Sequence, residues 1–555
     1  MKIVECVPNF SEGRNPEKIK AITREIEQTP GVKLLDVDPG ESTNRTVVTF
    51  IGPPEAVKEA AFRAIRKAAE VIDMTQHKGE HSRIGATDVC PFVPVSGVTM
   101  EDCVRLAREL GQRVAEELGI PVYLYEEAAQ KTERRNLATI RLGEYEGLPE
   151  KLKDPEWVPD YGDPVFNPKS GATVIGAREF LIAYNINLNT KDRRLANEIA
   201  LNLRESGRAK RDADGNVIRS ADGQAVMVPG KFKHVKAVGW YIEDYGVAQI
   251  SINFTNYKIT PVHIVFDEAV KEAEKLGLRV TGSELVGLIP KEALLMAGRY
   301  YLEKQGKSPG LPEEEVIRTA VLSLGLNDVA PFDPAKKVIE YQFKEVGPSL
   351  LRLNLRELAN ELSADSPTPG GGSAAALAAA LSASLAAMVA NLTVGKKGYE
   401  EAEEEMKKVA VRAQQLKDEM LKAVDDDSRA FNRVMDAYRM PKATEEQAKE
   451  RDAAVELTSQ GAALVPFGVL EKCVELLEAA KVVAERGNKN SLSDAGVAGL
   501  LAEAAAEGAY YNIKVNLLNI KDPVFKEEIG GRAKGLREEA ARAAAELRAK
   551  IASHL

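Results

Sequence analysis

Two of the five histidines in this 555-residue chain fall in one loop, His77-Lys78-Gly79-Glu80-His81-Ser82-Arg83-Ile84-Gly85-Ala86-Thr87-Asp88. A neutral imidazole beside Glu80, Arg83 and Asp88 can relay protons near pH 7, because its ordinary pKa is about 6.5. Zinc would ask for His-Glu-x-x-His on a helix or a nearby cysteine pair, and the glycines here argue against a helix. Two solvated loop histidines are the plain alternative, and spacing alone leaves both open. His234, His263 and His554 are isolated and read as structural or surface residues.

Other clusters carry chemistry of different kinds. Asp38-Pro39-Gly40-Glu41-Ser42-Thr43-Asn44-Arg45 is polar and sits between two predicted strands, as a site or a plain hairpin loop. Gly162, Asp163, Pro164, Phe166, Lys169 and Gly171 mix glycine, carboxylate, aromatic and cation just before a strand, a composition that could hold a planar heterocycle with a carboxylate tail or form an ordinary loop. Thr368-Pro369-Gly370-Gly371-Gly372-Ser373 precedes a helix whose backbone amides could meet an anion, without the Lys-Ser/Thr ending of a phosphate-binding loop. Lys396 and Lys397 add two cations for the same anion. Asp425-Asp426-Asp427 places three carboxylates together on a predicted helix. Mutual repulsion and burial of one would raise its pKa and suit it to donating a proton, whereas a solvated helix end needs no function. Asn488 to Asp494 opens an Ala-rich helix, and capping alone accounts for it.

The elements that position these groups follow from periodicity. The first third reads βαββαβ: strand 2–7, a helix begun by Asn15-Pro16, strand 33–37, a turn at Asp38-Pro39-Gly40, strand 46–51, a helix over 54–71, strand 88–95, a helix capped by Thr99, and strand 121–125. A second βαββαβ set starts at strand 180–188, with a helix capped by Thr190, strands 235–242 and 247–253, a helix from Thr260-Pro261 to Gly277 and a strand within 278–289. Sheets with helices on one side must cover the other side, and packing on each other places a cleft between the two sets. Beyond Pro331 strand signals vanish and Ala, Glu, Lys and Leu recur at helical spacing from Leu351 to Leu555. The expected domains are therefore 1–179, 180–326, a linker over 327–349 centred on Lys344 to Ser349, and an all-helical 350–555. Residues 207–231, rich in Gly, Asp, Arg and Lys, are expected to lie outside the cleft.

Composition narrows the classes. With 75 basic and 84 acidic side chains the net charge is −9, which disfavours a duplex nucleic-acid binder, and 44% hydrophobic residues suit globular folds. Cys6, Cys90, Cys103 and Cys473 form no CxxC pair, so neither a disulfide framework nor a structural zinc site is indicated, and reduced thiols in a cytoplasmic protein are expected. No secretion signal is read at the N-terminus. Ser373 to Val394 is long and apolar, but its alanines are barely hydrophobic, and a buried soluble helix is expected rather than a membrane span.

Seven segments together resemble the formimidoyltransferase-cyclodeaminase family across essentially the whole chain: VECVPNFSEGR (Val4 to Arg14), DVDPGESTNRTVVTFIG (Asp36 to Gly52), HKGEHSRIGATDVCPFVPV (His77 to Val95), SGATVIGAREFLIAYNINL (Ser170 to Leu188), TPGGGS (Thr368 to Ser373), VDDDSRAF (Val424 to Phe431) and GNKNSLSDAGVA (Gly487 to Ala498). The resemblance implies an α/β (α+β) transferase of two subdomains, with repeated βαββαβ units and facing sheets, followed by an all-α helical bundle. It implies transfer of a formimino group from N-formimino-L-glutamate to tetrahydrofolate, with glutamate released, then cyclodeamination to 5,10-methenyltetrahydrofolate with loss of ammonia. The family's catalytic histidine falls on His81, its folate loop on Gly162 to Gly171, and Asp38, Asn44 and Arg45 go to the same cleft. Its second acid falls on Asp427, with Gly370, Gly371, Gly372, Ser373, Lys396, Lys397, Asn488 and Asp494 around a second folate pocket. Tetrahydrofolate acts as substrate and one-carbon carrier, no metal is implied, and a homo-oligomer built through both domains is expected. The rival readings make the helical domain a methenyltetrahydrofolate cyclohydrolase or a non-catalytic oligomerisation module.

Overall fold

A computed structural model describes residues 2–41, 44–79, 82–220, 223–243, 245–342 and 349–554. The chain forms two compact units, Met1–Ala297 with Val321–Glu345, and Gly298–Ala320 with Val346–Leu555. Residues 344–348, the centre of the expected linker, lie outside the described residues. The division differs from the expected boundaries: the two expected transferase domains fall in one unit, 321–345 with most of the expected linker joins that unit, and Gly298–Ala320 groups with the helical residues.

In the first unit, β1 (Ile3–Cys6), β2 (Asn9–Phe10), β3 (Lys33–Gly40), β4 (Arg45–Gly52), β5 (Thr87–Ser96), β6 (Val122–Glu126) and β7 (Thr173–Ala177) form one mixed sheet. Helices α1 (Pro16–Glu27), α2 (Pro54–Val71) and α3 (Met100–Leu118) cover one face. Asn15 caps α1 by accepting from the Glu17 and Lys18 amides, and Thr99 with Asp102 forms a reciprocal capping box on α3. Val4, Cys6, Val48, Phe50, Cys90 and Phe92 alternate onto the helix side and bury against Ile22, Ile65 and Leu106. The opposite parity, Val47 and Thr49 on β4 and Glu5 on β1, therefore faces away from those helices. A smaller cluster of Tyr123, Tyr125, Val89 and Val174 is covered on that second face by Ile140 and by Leu148 of α4 (Glu144–Lys151).

Two details differ from the sequence reading. The turn expected at Asp38-Pro39-Gly40 is strand, because β3 pairs Asp38 with Val47, Pro39 with Thr46 and Gly40 with Arg45. β3 is an edge strand, where a missing proline N–H costs no ladder bond. β7, absent from the expected order, lies parallel between β5 and β6.

The second sheet contains β8 (Ile182–Leu188), β11 (Val235–Ile242), β12 (Val247–Phe254) and β13 (Val280–Val286), in the order β11-β12-β8-β13. Between them β9 (Arg208–Ala209) and β10 (Met227–Val228) pair as a separate ribbon, the arm expected over 207–231. Helix α5 (Arg193–Leu203) is capped by Asp192 rather than Thr190, whose hydroxyl accepts from the Asp192 amide instead. Gly239 on β11 lies so close to α5 that a Cβ would meet the Asn197 nitrogen at 2.0 Å. Gly239 pairs with Ile250, so Ile250 and Ile252 share the helix side, while Asn187 and Gln249, joined by a 2.6 Å hydrogen bond, occupy the other face. Helix α6 (Val262–Lys275) completes this half.

The second unit is a bundle of α7 (Gly371–Asn391), α8 (Glu403–Arg439), α9 (Glu445–Arg486), α10 (Leu492–Leu518) and α11 (Pro523–Ala552). Its core is alanine-rich: Ala376, Ala379, Ala383, Ala502 and Ala509 pack with Leu416, Leu470 and Leu477, and small side chains let the helices approach closely. Gly310 belongs here, where an added Cβ would meet Ala410 at 2.4 Å and its carbonyl accepts from Asn391 at 2.8 Å. α7 and α9 are long and apolar enough to cross a membrane by length and composition, and α7 is mostly buried within the bundle.

Candidate functional sites

His81 and Glu80 lie outside the described residues, as do Ser42 and Thr43; the surroundings of the histidine loop are well defined. His77 is held at both ring nitrogens: Nε2 donates to the Asn44 carbonyl at 2.9 Å and Nδ1 accepts from Arg83 Nε at 3.2 Å. Burial lowers its pKa, reinforced by the Arg83 charge and opposed by the bond to Asn44, so the ring is neutral at pH 7. Arg83 is itself fixed by Glu144 at 2.7 Å and Glu146 at 2.6 Å on α4. Asn44, in the left-handed region at φ 49, accepts from the Gly13 amide and donates to the Lys78 carbonyl. His77 and Asn44 therefore tie residues 77 and 78 to the start of β4.

Asp88 closes the same loop. Its fully buried carboxylate accepts from the Ile84 amide at 3.0 Å and pairs closely with Arg141. Arg45 stands near both: burial and the Arg141 charge lower its pKa, while Asp88 and Asp38 oppose the shift. The β3–β4 register then sets Asp38 opposite Val47 and Asp36 opposite Thr49. Arg45, Val47 and Thr49 alternate onto one face, so a polar lane runs from Arg45 to a cavity of about 650 Å³ lined by Glu5, Asp36, Thr49 and Arg178 from one half and Ala183, Val286 and Lys336 from the other. Burial pushes the Glu5 carboxyl up to about 7, partly offset by the Arg178 charge. Sequence reasoning missed Glu5 and Arg178; a carboxylate at a core position of a short strand is the signal that could have found Glu5.

The loop Gly162 to Gly171 is anchored at both ends. Just before it, the buried Asp160 pairs with Arg134 at 2.8 Å and accepts from the Leu124 amide. At its close, Gly171 packs against the backbone of Ile84 and Gly85, where a Cβ would lie 2.2 Å from the Ile84 oxygen. Gly162, Asp163 and Phe166 line a groove of about 710 Å³ with Tyr161 and Glu116, within the size range of small-ligand pockets. Pro164 lies in the same loop. Lys169 turns elsewhere, its Nζ donating to the Glu70 carbonyl at the end of α2.

In the helical unit the three aspartates part company. Asp425 accepts from the Ser349 hydroxyl at 2.6 Å and the Leu350 amide at 2.7 Å. Asp426 lies between Lys422 at 3.5 Å and Arg429 at 3.6 Å. Asp427 meets the first turn of α7: Ser373 Oγ donates to it at 3.1 Å, and a Cβ on Gly372 would sit 2.2 Å from its Oδ1. Burial raises its pKa, and the Ser373 hydroxyl and amide pull the other way. On the Asp425 face of α8 a cavity of about 490 Å³ is lined by Asp425, Ser428, Arg429, Thr368, Pro369 and Arg352, and Asp427 is not among its walls.

Not every expected neighbour is brought to Asp427. Gly370, Gly371, Gly372 and Ser373 form the start of α7, whereas Lys396 follows its far end and donates to Asn488 at 2.7 Å. Twenty-one helical residues at about 1.5 Å each separate the two groups by roughly 30 Å. Within one chain, then, Lys396, Lys397, Asn488 and Asp494 are not beside Asp427. Lys397 is exposed and Asp494 lies in the first turn of α10. Arg352 and Arg429 line the cavity beside Asp425.

A polar cleft in an α/β unit, joined to an all-helical unit with a half-buried acid under a glycine-rich helix start, defines a two-site enzyme chain. Residues 3–178 match the model of the formiminotransferase domain, N-terminal subdomain, residues 183–344 that of the formiminotransferase domain, and residues 354–535 that named formiminotransferase-cyclodeaminase. The formimidoyltransferase-cyclodeaminase of Mus musculus is 48% identical over 542 residues, 97% of each chain. Glutamate formimidoyltransferase of Streptococcus pyogenes is 42% identical over 302 residues, 54% of this chain and 94% of its own. Methenyltetrahydrofolate cyclohydrolase of Methylorubrum extorquens is 41% identical over 179 residues, 32% of this chain and 86% of its own. The chain belongs to the formimidoyltransferase-cyclodeaminase family.

Proposed function

We propose that the first unit transfers the formimino group of N-formimino-L-glutamate to N5 of tetrahydrofolate and that the helical unit then closes N10 onto the transferred carbon, expelling ammonia. The observation that carries this reading is Asp427, a half-buried acid whose pKa burial raises, set against the glycine-rich start of α7. Ammonia must leave protonated, and a carboxylic acid kept neutral by burial can supply that proton. His81 takes the matching role in the first unit. N5 attack on the amidine carbon gives a tetrahedral centre, glutamate leaves as its amine, and an imidazole donates the proton that makes the amine a leaving group. His77, neutral and held at both ring nitrogens, lies in the same sequence segment.

Alternation of polar and apolar residues in both sheets supports two βαββαβ halves whose bare faces meet across the cleft. The folate ring is assigned to the groove of Gly162, Asp163 and Phe166, with Asp38, Asn44 and Arg45 at the cleft. The second folate is assigned to the start of α7 beside Asp427, its carboxylate tail to the cavity of Arg352 and Arg429. Tetrahydrofolate is substrate and carrier, the chain acts as a homo-oligomer, and it is placed in the cytoplasm.

Supplying N-formimino-L-glutamate and tetrahydrofolate to the full chain should yield glutamate, ammonia and the methenyl-folate absorbance in equal amounts. The likeness to a cyclohydrolase supports a second reading of the helical unit. Hydrolysis of supplied methenyltetrahydrofolate, with no ammonia from 5-formimidoyltetrahydrofolate, would favour it and reject cyclodeamination.

A further inference from the structure

Glu5 is 4% exposed and lines the cleft cavity of the first unit. Among the described residues its carboxylate receives no hydrogen bond and no ion pair within 4 Å; Arg178 acts on it only through space. A buried carboxylate left without donors is costly and asks for a partner that arrives from outside. A ligand whose N–H groups donate to it, above all a cationic one, restores what burial removed.

Arg178 sits in the same wall, where its charge also acts on Tyr125 and Glu126. Glu126 is held in the left-handed region at φ 52, a conformation a non-glycine residue adopts only under constraint from its surroundings. Lys336 and Lys337 line the cavity on its other side. Two carboxylates, Glu5 and Asp36, and three cations thus line one space of about 650 Å³. A ligand complementary to it carries one planar cation and one or two anions. The Glu5 wall lies on the same sheet face as Thr49, Val47 and Arg45, so the cavity continues into the lane that reaches the histidine loop.

We infer that Glu5 and Arg178 form the pocket for the transferase's amidine donor: the Glu5 carboxylate accepts the two N–H bonds of the formamidinium, and Arg178 with Lys336 and Lys337 takes the carboxylates of the glutamate moiety. A planar amidinium matches a carboxylate as a guanidinium does, through two parallel hydrogen bonds. Holding the proton on the imino nitrogen keeps the amidine carbon electrophilic for N5. The assignment rests on the transferase reading given above.

The test compares binding of N-formimino-L-glutamate and of N-formyl-L-glutamate, its isostere with a neutral formamide in place of the amidinium, to the full chain by calorimetry. Wild type should favour the amidine, and Glu5→Gln should erase about tenfold or more of that preference, the loss of one charge-assisted pair. Arg178→Met should weaken both ligands alike by about tenfold. In steady state, Glu5→Gln should raise KM for the donor and leave KM for tetrahydrofolate unchanged, while ammonia release from supplied 5-formimidoyltetrahydrofolate reports an intact chain. Unchanged preference in Glu5→Gln, or unchanged binding of both ligands in Arg178→Met, overturns the pocket. A wild-type chain that binds neither compound and releases no glutamate overturns the transferase reading itself.

Discussion

Asp425 holds the segment entering the bundle, Asp426 faces Lys422 and Arg429, and Asp427 lies under the start of α7. Replacing Asp427 by Asn keeps the shape and the Ser373 contact but removes the proton, so ammonia release should fall by about 10²- to 10⁴-fold while transfer continues. The same change has a stability signature. Because the folded state raises the Asp427 pKa, ionising it costs stability at neutral pH and costs nothing below the ordinary carboxylate range. Asp427→Asn should therefore melt at a higher temperature than wild type at pH 7, and the gap should close as the pH falls below about 4. At the other site, His81→Ala should abolish glutamate release while the helical unit still converts supplied 5-formimidoyltetrahydrofolate. Loss of both reactions in a folded chain would argue against two separate sites.

At the scale of elements, the sites depend on close approaches that leave no room for a side chain. Gly372→Ala would drive a methyl into the Asp427 carboxylate, so cyclodeamination should drop with a melting cost of about 1–3 kcal/mol, and transfer should be spared. The loop at Gly162 hangs on the buried Arg134–Asp160 pair. Asp160→Asn strands the Arg134 charge and should cost about 3–5 kcal/mol in thermal or denaturant unfolding, with weakened tetrahydrofolate binding. Much of this organisation is legible in the sequence. Asn15-Pro16 and Thr99 announce their helices because caps are local chemistry, and α2 follows from its periodicity alone. Pro39-Gly40 reads as a turn because those residues usually make one, and only the pairing with β4 at a sheet edge makes it strand. β7 is five residues long with a glycine inside, too short to show a period. Arg141, Glu144 and Glu146 serve the histidine loop from more than fifty residues away, and no local pattern marks them. The separation of Lys396 from the glycine-rich helix start is legible, because the helix expected over Ser373 to Val394 already spans about 30 Å at about 1.5 Å per residue.

At the scale of the whole chain, residues 183–344 match one transferase domain model, yet Gly298–Ala320 lies inside the helical unit. A fragment starting at residue 346 lacks Gly310, which packs on Ala410, and the Asn391 contact. It should melt below the helical unit of the intact chain, and a fragment that kept its full melting temperature would show that the borrowed segment adds nothing. The polypeptide crosses between units at 297–298, at 320–321 and again at 345–346. A protease nicking only the last of these joints would leave the pieces tied together by Gly298–Ala320, and a recombination event there would hand the bundle's missing strap to the wrong parent. Swapping either half between related chains without loss therefore means moving that internal segment with the bundle, as a graft cut at both of its ends.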